Sequence, residues 1–212
     1  QFSPSTAGPG THTITYTVVS ANGCAGVDTV YITVWARPTI NILPGTNLQV
    51  CPGDTLFLDG NPTPGDGAIV THLWTGNTAP LSATNIQNPF FTTNTPGTYN
   101  LTYRVVDANG CDRQQNITIN VTQVSANILP NPAQACAGIN FQLDGNPSGG
   151  TGTYTMHLWT GDISYLNFSN IQNPVFNCNL VGSYNLMYFV TDNNGCSATD
   201  NITITVSPVP IA

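Results

Sequence analysis

The stretch Y-N-L-T-Y-R-V-V-D-A-N-G-C (Tyr99–Cys111) occurs in three versions. The others are H-T-I-T-Y-T-V-V-S-A-N-G-C (His12–Cys24) and Y-N-L-M-Y-F-V-T-D-N-N-G-C (Tyr184–Cys196). Apolar residues alternate in each, as in Leu101, Tyr103 and Val105, and a period of two marks a strand with one buried face. Asn-Gly follows every time, at Asn22-Gly23, Asn109-Gly110 and Asn194-Gly195, and favours a hairpin turn. A second alternating run comes next: T-V-Y-I-T-V (29–34), N-I-T-I-N-V (116–121) and N-I-T-I-T-V (201–206). The unit is a β-hairpin with a cysteine just past its turn.

Longer identities surround this unit. C-P-G-D-T-L-F-L-D-G-N-P (51–62) matches C-A-G-I-N-F-Q-L-D-G-N-P (136–147), while H-L-W-T-G recurs at 72–76 and 157–161, and N-I-Q-N-P at 85–89 and 170–174. The offset is 85 residues throughout, with no gap between Cys51 and Val121. Self-similarity at a fixed period signals tandem repeats. The expected domains are whole repeats at 37–122 and 123–207. Residues 1–36 are read as the last third of a repeat whose earlier strands precede Gln1, and 208–212 as the start of a linker to a further repeat. Within a repeat, strands are expected near 39–43, 48–50, 55–59, 68–75, 89–93, 98–107 and 113–122. So many short strands punctuated by Gly, Pro, Asn and Asp predict a two-sheet sandwich with Trp74 and Trp159 in the core.

Composition agrees. The chain has no Glu and no Lys, the strong helix formers, and no stretch with amphipathic helical spacing, so it reads as all-β. Only 6% of residues are charged, the cations are Arg37, Arg104 and Arg113, and the net charge is −7. Nucleic acids and anionic membranes need basic patches and are excluded as partners. No apolar run is long enough to insert in a bilayer.

Two cysteine pairs have equal spacing, Cys51 with Cys111 and Cys136 with Cys196. Their expected disulfides would each close a loop worth roughly 4 kcal/mol in the chain-entropy model. Disulfides imply an oxidising, extracellular setting. Zinc is the rival, but its usual close Cys/His spacings are missing. Cys24 is expected to be unpaired in this chain. Cys178 stands where the other repeat has Thr93, and reads either as a buried thiol acting as a small hydrophobe or as a link to another chain.

No catalytic motif occurs, so no enzyme is expected, and His12, His72 and His157 fall where strand packing explains them. No cofactor is called for. Asp59, Asp107, Asp144 and Asp192 are the candidate ligands for Ca²⁺; the competing reading is turn chemistry, since Asp and Asn cap their own backbone.

The hairpin signature from Gly97 to Cys111 resembles the PKD-like and Ig-like repeats of very large Bacteroidota cell-surface proteins, including gliding-motility adhesins of the type IX pathway. F-S-P-S-T-A-G-P-G-T-H-T-I-T-Y-T-V (2–18) is similar to another repeat variant of those proteins. One departure is that PKD domains carry W-D-F-G-D-G where this chain has Trp74-Thr75-Gly76-Asn77 and Trp159-Thr160-Gly161-Asp162. The resemblance implies Ig-like/PKD-like sandwiches arranged end to end, forming a stalk or filament segment of a bacterial cell-surface adhesin for gliding or attachment. Its partners would be neighbouring repeats, surface polysaccharide or other copies of the protein. It also implies O-glycosylation at Asp-Ser/Thr-aliphatic sites, matched by Thr29 and Thr55. The alternative function is a carbohydrate-binding or spacer appendage of a secreted enzyme, which would need exposed aromatics.

Overall fold

The computed structural model describes residues 1–210. The linker expected at 208–212 therefore falls partly on residues outside the described ones. The all-β expectation holds, apart from a four-residue helix at Pro4–Ala7, with proline in its first turn, and a 3₁₀ turn at Ile163–Tyr165. β1 (Gly10–Val19) and β2 (Ala25–Val34) form the first hairpin, a two-stranded sheet in full register from Gly10↔Val34 to Val19↔Ala25.

The first whole repeat contributes β3 (Thr39–Ile40), β4 (Asn47–Val50), β5 (Thr55–Phe57), β6 (Pro62–Thr63), β7 (Ile69–Gly76), β8 (Phe90–Thr92), β9 (Gly97–Asp107) and β10 (Asp112–Val121). Its main sheet has the order β4-β10-β9-β7. The opposing strands pair as β3 with β6 and β5 with β8. The second repeat supplies β11 (Val124–Ser125), β12 (Ala133–Cys136), β13 (Phe141–Gln142), β14 (Ser148–Gly149), β15 (Tyr154–Gly161), β16 (Val175–Phe176), β17 (Gly182–Asp192) and β18 (Ser197–Ser207). Its sheets follow the same plan: β12-β18-β17-β15, β11 with β14, and β13 with β16. Both copies carry a register shift early in the strand that bears the tryptophan, between Ile69 and Thr71 and between Tyr154 and Met156. By compactness the chain divides into two units. One holds Gln1–Leu48, Thr55–Thr92 and Tyr99–Ile119; the other holds Gln49–Asp54, Thr93–Thr98 and the chain from Asn120 onward.

Alternation along β9 and β17 puts Leu101, Tyr103 and Val105, and their equivalents Leu186, Tyr188 and Val190, in the core. Trp74 and Trp159 are fully buried, as expected. Each packs against the tyrosine of the neighbouring strand, Trp74 stacked on Tyr103 with ring centroids 4.5 Å apart and Trp159 tilted against Tyr188 at 4.8 Å. The indole N–H groups donate to the Ile86 and Ile171 carbonyls at 3.0 and 2.9 Å, which satisfies a donor that would be costly to bury unpaired. His72 and His157 lie parallel to the same tyrosines, with Nδ1 at 2.6 and 2.5 Å from the hydroxyl, so both histidines are packing groups.

The hairpin β1–β2 has the same sequence pattern and the opposite burial. Tyr16 and Val18 are 69% and 50% exposed, whereas their equivalents Tyr103 and Val105 are fully buried. No other strand pairs with this sheet among the described residues.

The tyrosine ring leaves no room for a side chain where a glycine passes it. A Cβ at Gly60 would sit 2.1 Å from the Tyr103 ring, and one at Gly145 would sit 2.3 Å from Tyr188. Overpacking of this kind costs about 1–3 kcal/mol. Gly60→Ala and Gly145→Ala should each lower the denaturant midpoint accordingly, read by tryptophan fluorescence. A change under about 0.5 kcal/mol, the level of an ordinary surface substitution, would contradict this packing.

Candidate functional site

The residues that could carry chemistry gather at the turns. Asp107 and Asp192 end β9 and β17 and are buried, at 2% and 1% exposure. Asp107 Oδ1 accepts the backbone N–H groups of Asn109 and Cys111 at 3.0 and 2.8 Å. Asp192 Oδ1 accepts those of Asn194 and Cys196 at 3.0 and 2.9 Å. The carboxylate thus closes the Asn-Gly-Cys turn from inside. The second oxygen differs between copies. Asp192 Oδ2 accepts the Thr151 N–H at 2.9 Å, while Asp107 Oδ2 is buried without a hydrogen-bond partner.

Asp59 and Asp144 build the Asp-Gly-Asn turns. Their Oδ1 atoms accept from the backbone of Asn61 and Asn146 at 2.7 and 2.8 Å, and from the side-chain amides of Gln87 and Gln172 at 2.8 and 3.0 Å. Asn61 and Asn146 both adopt φ of +40°, which asparagine tolerates. The four aspartates named as calcium candidates are therefore engaged in separate turns. Among the described residues, no three His, Cys, Asp or Glu side chains gather in a way that could hold a metal.

The disulfide pairing differs from the one the equal spacings suggest. Cys51 is bonded to Cys196, with Cα atoms 5.3 Å apart, and Cys24, Cys111, Cys136 and Cys178 are free thiols. Geometry explains why neither Cys51–Cys111 nor Cys136–Cys196 forms. Cys136 ends β12, which runs parallel to β18 and faces Ser207 at its far end. Cys196 immediately precedes β18 at the near end. The two cysteines are a whole strand apart, about 33 Å for ten residues, where a disulfide needs Cα atoms within about 7 Å. The other copy repeats this: the Thr122 N–H meets the Val50 carbonyl beside Cys51 at one end of β10, and Cys111 precedes the other end. Equal spacing followed from the repeat itself and carried no information about pairing.

Around the bridge, Asn194 Nδ2 donates to Gln49 Oε1 at 2.7 Å. The Cys51 N–H is held by Asp54 Oδ2 at 3.1 Å. Cys178 belongs to the core and is 3% exposed. Its thiol donates to the Tyr184 hydroxyl at 3.0 Å, which in turn donates to the Leu180 carbonyl at 2.9 Å. This thiol contact, followed by burial, pushes the Tyr184 phenol up to about 12. Burial first, and the Asp59 and Asp144 carboxylates second, raise the Tyr103 and Tyr188 phenols further still.

The glycosylation candidates Thr29 and Thr55 are exposed, on β2 and at the start of β5. Trp35 is half-exposed beside Pro4, Pro9, Val34 and Arg37. Sequence reasoning missed a second exposed aromatic feature. Phe57 and Phe90 pair across the β5–β8 ladder, 74% and 42% exposed, with ring centroids 6.5 Å apart. The available signal was a difference between repeats, since Gln142 replaces Phe57 and Val175 replaces Phe90.

Two expectations follow. Asp192→Ala removes the acceptor for three backbone donors and should cost about 3 kcal/mol in denaturant unfolding, since a buried donor left unpaired costs about 1–3 kcal/mol. A second concerns pH. Burial lowers the His157 pKa, so the folded state resists its protonation. The unfolded histidine takes up a proton near pH 6.5, and stability is therefore full above that value and declines as pH falls below it. His157→Gln should flatten that part of the stability profile; an unchanged slope would refute the assignment.

No family model matches the chain. The mouse dyslexia-associated protein KIAA0319-like protein is 29% identical over 217 residues, covering 92% of this chain and 21% of the mouse protein. The chain thus spans about a fifth of that relative's length. Among solved structures, the three N-terminal domains of the bacteriophage RB49 highly immunogenic outer capsid protein overlap 92% of this chain and 78% of theirs, with a TM-score of 0.54 and 9% identity. A PKD domain from the KIAA 1837 protein covers 39% of this chain and 86% of its own, with 24% identity and a TM-score of 0.32. The likeness to the capsid protein is one of fold, and with the strand order it marks the chain as a tandem of all-β, Ig-like sandwich repeats.

Proposed function

We propose that the chain is a structural segment of an extracellular adhesin, a stalk built from sandwich repeats at 37–122 and 123–207. The observation that carries this reading is how the polar groups are used. The imidazoles of His72 and His157 lie against tyrosines, and the four candidate aspartates are turn-builders. Polar groups spent in this way on folding fit a scaffold. The Cys51–Cys196 bridge supports an oxidising location. No helix among the described residues is long and apolar enough to cross a membrane. On this reading the partners are neighbouring repeats, other copies and surface polysaccharide, and the exposed Thr29 and Thr55 hydroxyls are acceptors for glycans. A bacterial surface role in gliding or attachment is the finer form of the proposal, and rests on the resemblance of the hairpin signature.

A stalk of sandwiches laid end to end advances by about a strand length, roughly 33 Å, per repeat. Small-angle scattering on the full chain should give a maximum dimension well beyond that of a sphere of equal mass. A near-spherical value would overturn the stalk. The exposed Phe57–Phe90 pair favours a second reading, a carbohydrate-binding appendage. Co-sedimentation with insoluble polysaccharides tests it: binding lost in Phe57→Ala would support the appendage, and no binding by the wild-type chain would remove it.

A further inference from the structure

The Cys51–Cys196 bridge is one half of a two-point contact. Gln49 and Cys51 stand on one side, Asn194 and Cys196 on the other, with the amides bonded at 2.7 Å beside the disulfide. Both halves recur unbonded at the 85-residue offset. Gln134 and Cys136 repeat the first, and Asn109 and Cys111 repeat the second. The free halves are already shaped like the joined ones. The Cys111 N–H is held by Asp107 as the Cys196 N–H is held by Asp192, at 2.8 and 2.9 Å. Beside Cys51 and Cys136, the Gly53 and Gly138 N–H groups bond the carbonyls of Thr93 and Cys178, both at 2.8 Å. Gln134, Cys136 and Asn109 are exposed, and Cys111 is partly buried.

We propose that Gln134 and Cys136 form a docking edge for the Asn-Gly-Cys turn of a second copy of this chain, and that Cys136 of one copy forms a disulfide with Cys111 of the next. The same four residue types, with matching hydrogen bonds beside both cysteines, already make this bond once within the chain. The two sides of the contact are different surfaces, so it is heterologous, and each added copy presents a fresh half-site. The oxidant is a low-molecular-weight disulfide such as oxidised glutathione. The Cys136 thiolate attacks it, and one glutathione leaves as thiolate. The Cys111 thiolate then attacks the protein sulfur of the mixed disulfide, and the second glutathione leaves. Two protein thiols become one disulfide, and their protons end on the two glutathiones.

This inference deepens the structural-array reading and rests on it, but its test reads sulfur connectivity rather than shape, so the two can fail separately. The full chain, carrying Cys24→Ser to remove the third Asn-Gly-Cys turn, is incubated with a glutathione redox buffer. It is then followed by non-reducing electrophoresis and disulfide peptide mapping. The expected result is a covalent ladder whose linking peptide joins Cys136 to Cys111. Cys136→Ser and Cys111→Ser should each abolish that linkage, while Cys178→Ser leaves it intact. Gln134→Ala should slow linking several-fold without changing the rate at which a small maleimide labels Cys136, which separates docking from simple thiol reactivity. A purely monomeric product, a dominant Cys136–Cys136 linkage, or linking indifferent to Gln134→Ala would overturn the proposal.

Discussion

Each whole repeat is fitted around one buried phenol. The ring of Tyr103 or Tyr188 has a tryptophan on one side and a histidine against its hydroxyl, and no space for a side chain where Gly60 or Gly145 passes. The recurring motifs of the sequence are the pieces of this enclosure. Asp-Gly-Asn brings the glycine. His-Leu-Trp brings the imidazole and indole. Asn-Ile-Gln supplies the carbonyl for the indole N–H and the amide that steadies the Asp-Gly-Asn turn. A polar aromatic can be buried only when its polar atoms are matched, and matching them requires four distant segments to arrive together.

That constraint explains what could be read in advance. The repeat offset, the main strands and the buried tryptophans all follow from local patterns, and the strands near 68–75, 98–107 and 113–122 lie within a residue or two of β7, β9 and β10. The pair β3–β6 was not legible, because Pro62 and Pro64 read as punctuation and the ladder is only Thr39↔Thr63 and Ile40↔Pro62. The cysteine pairing was not legible either. It depends on which end of a strand each cysteine occupies, and a parallel β12–β18 ladder is a long-range fact that spacing cannot encode. Of the candidate sites, the turns that the aspartates build are legible from Asp-Gly-Asn and Asn-Gly-Cys, but their oxygens' partners Gln87, Gln172 and Thr151 lie in other segments.

The first hairpin carries the pattern without the burial. Its alternation is as regular as that of β9 and β10, yet its tyrosines and valines face outward, because burial is a property of the opposing layer rather than of the strand. Hydrophobic pattern states which face can be covered; only the tertiary partner covers it.

The bridge between Cys51 and Cys196 also sets how the chain would respond to being pulled from its ends. Its sulfurs enclose a sequence separation of 145 residues. Tension applied at the termini enters that loop at Cys51 and leaves at Cys196 through the S–S bond, so the enclosed segment bears none of it. At about 3.3–3.6 Å per residue, roughly 500 Å of contour length is withheld from extension until the bond is reduced. The core stacks of both repeats, from Trp74 to Tyr188, lie inside the shielded loop. The chain before Cys51, which includes the first hairpin, and the chain after Cys196 remain in the line of force, and the redox state of one bond decides how far the molecule can be stretched.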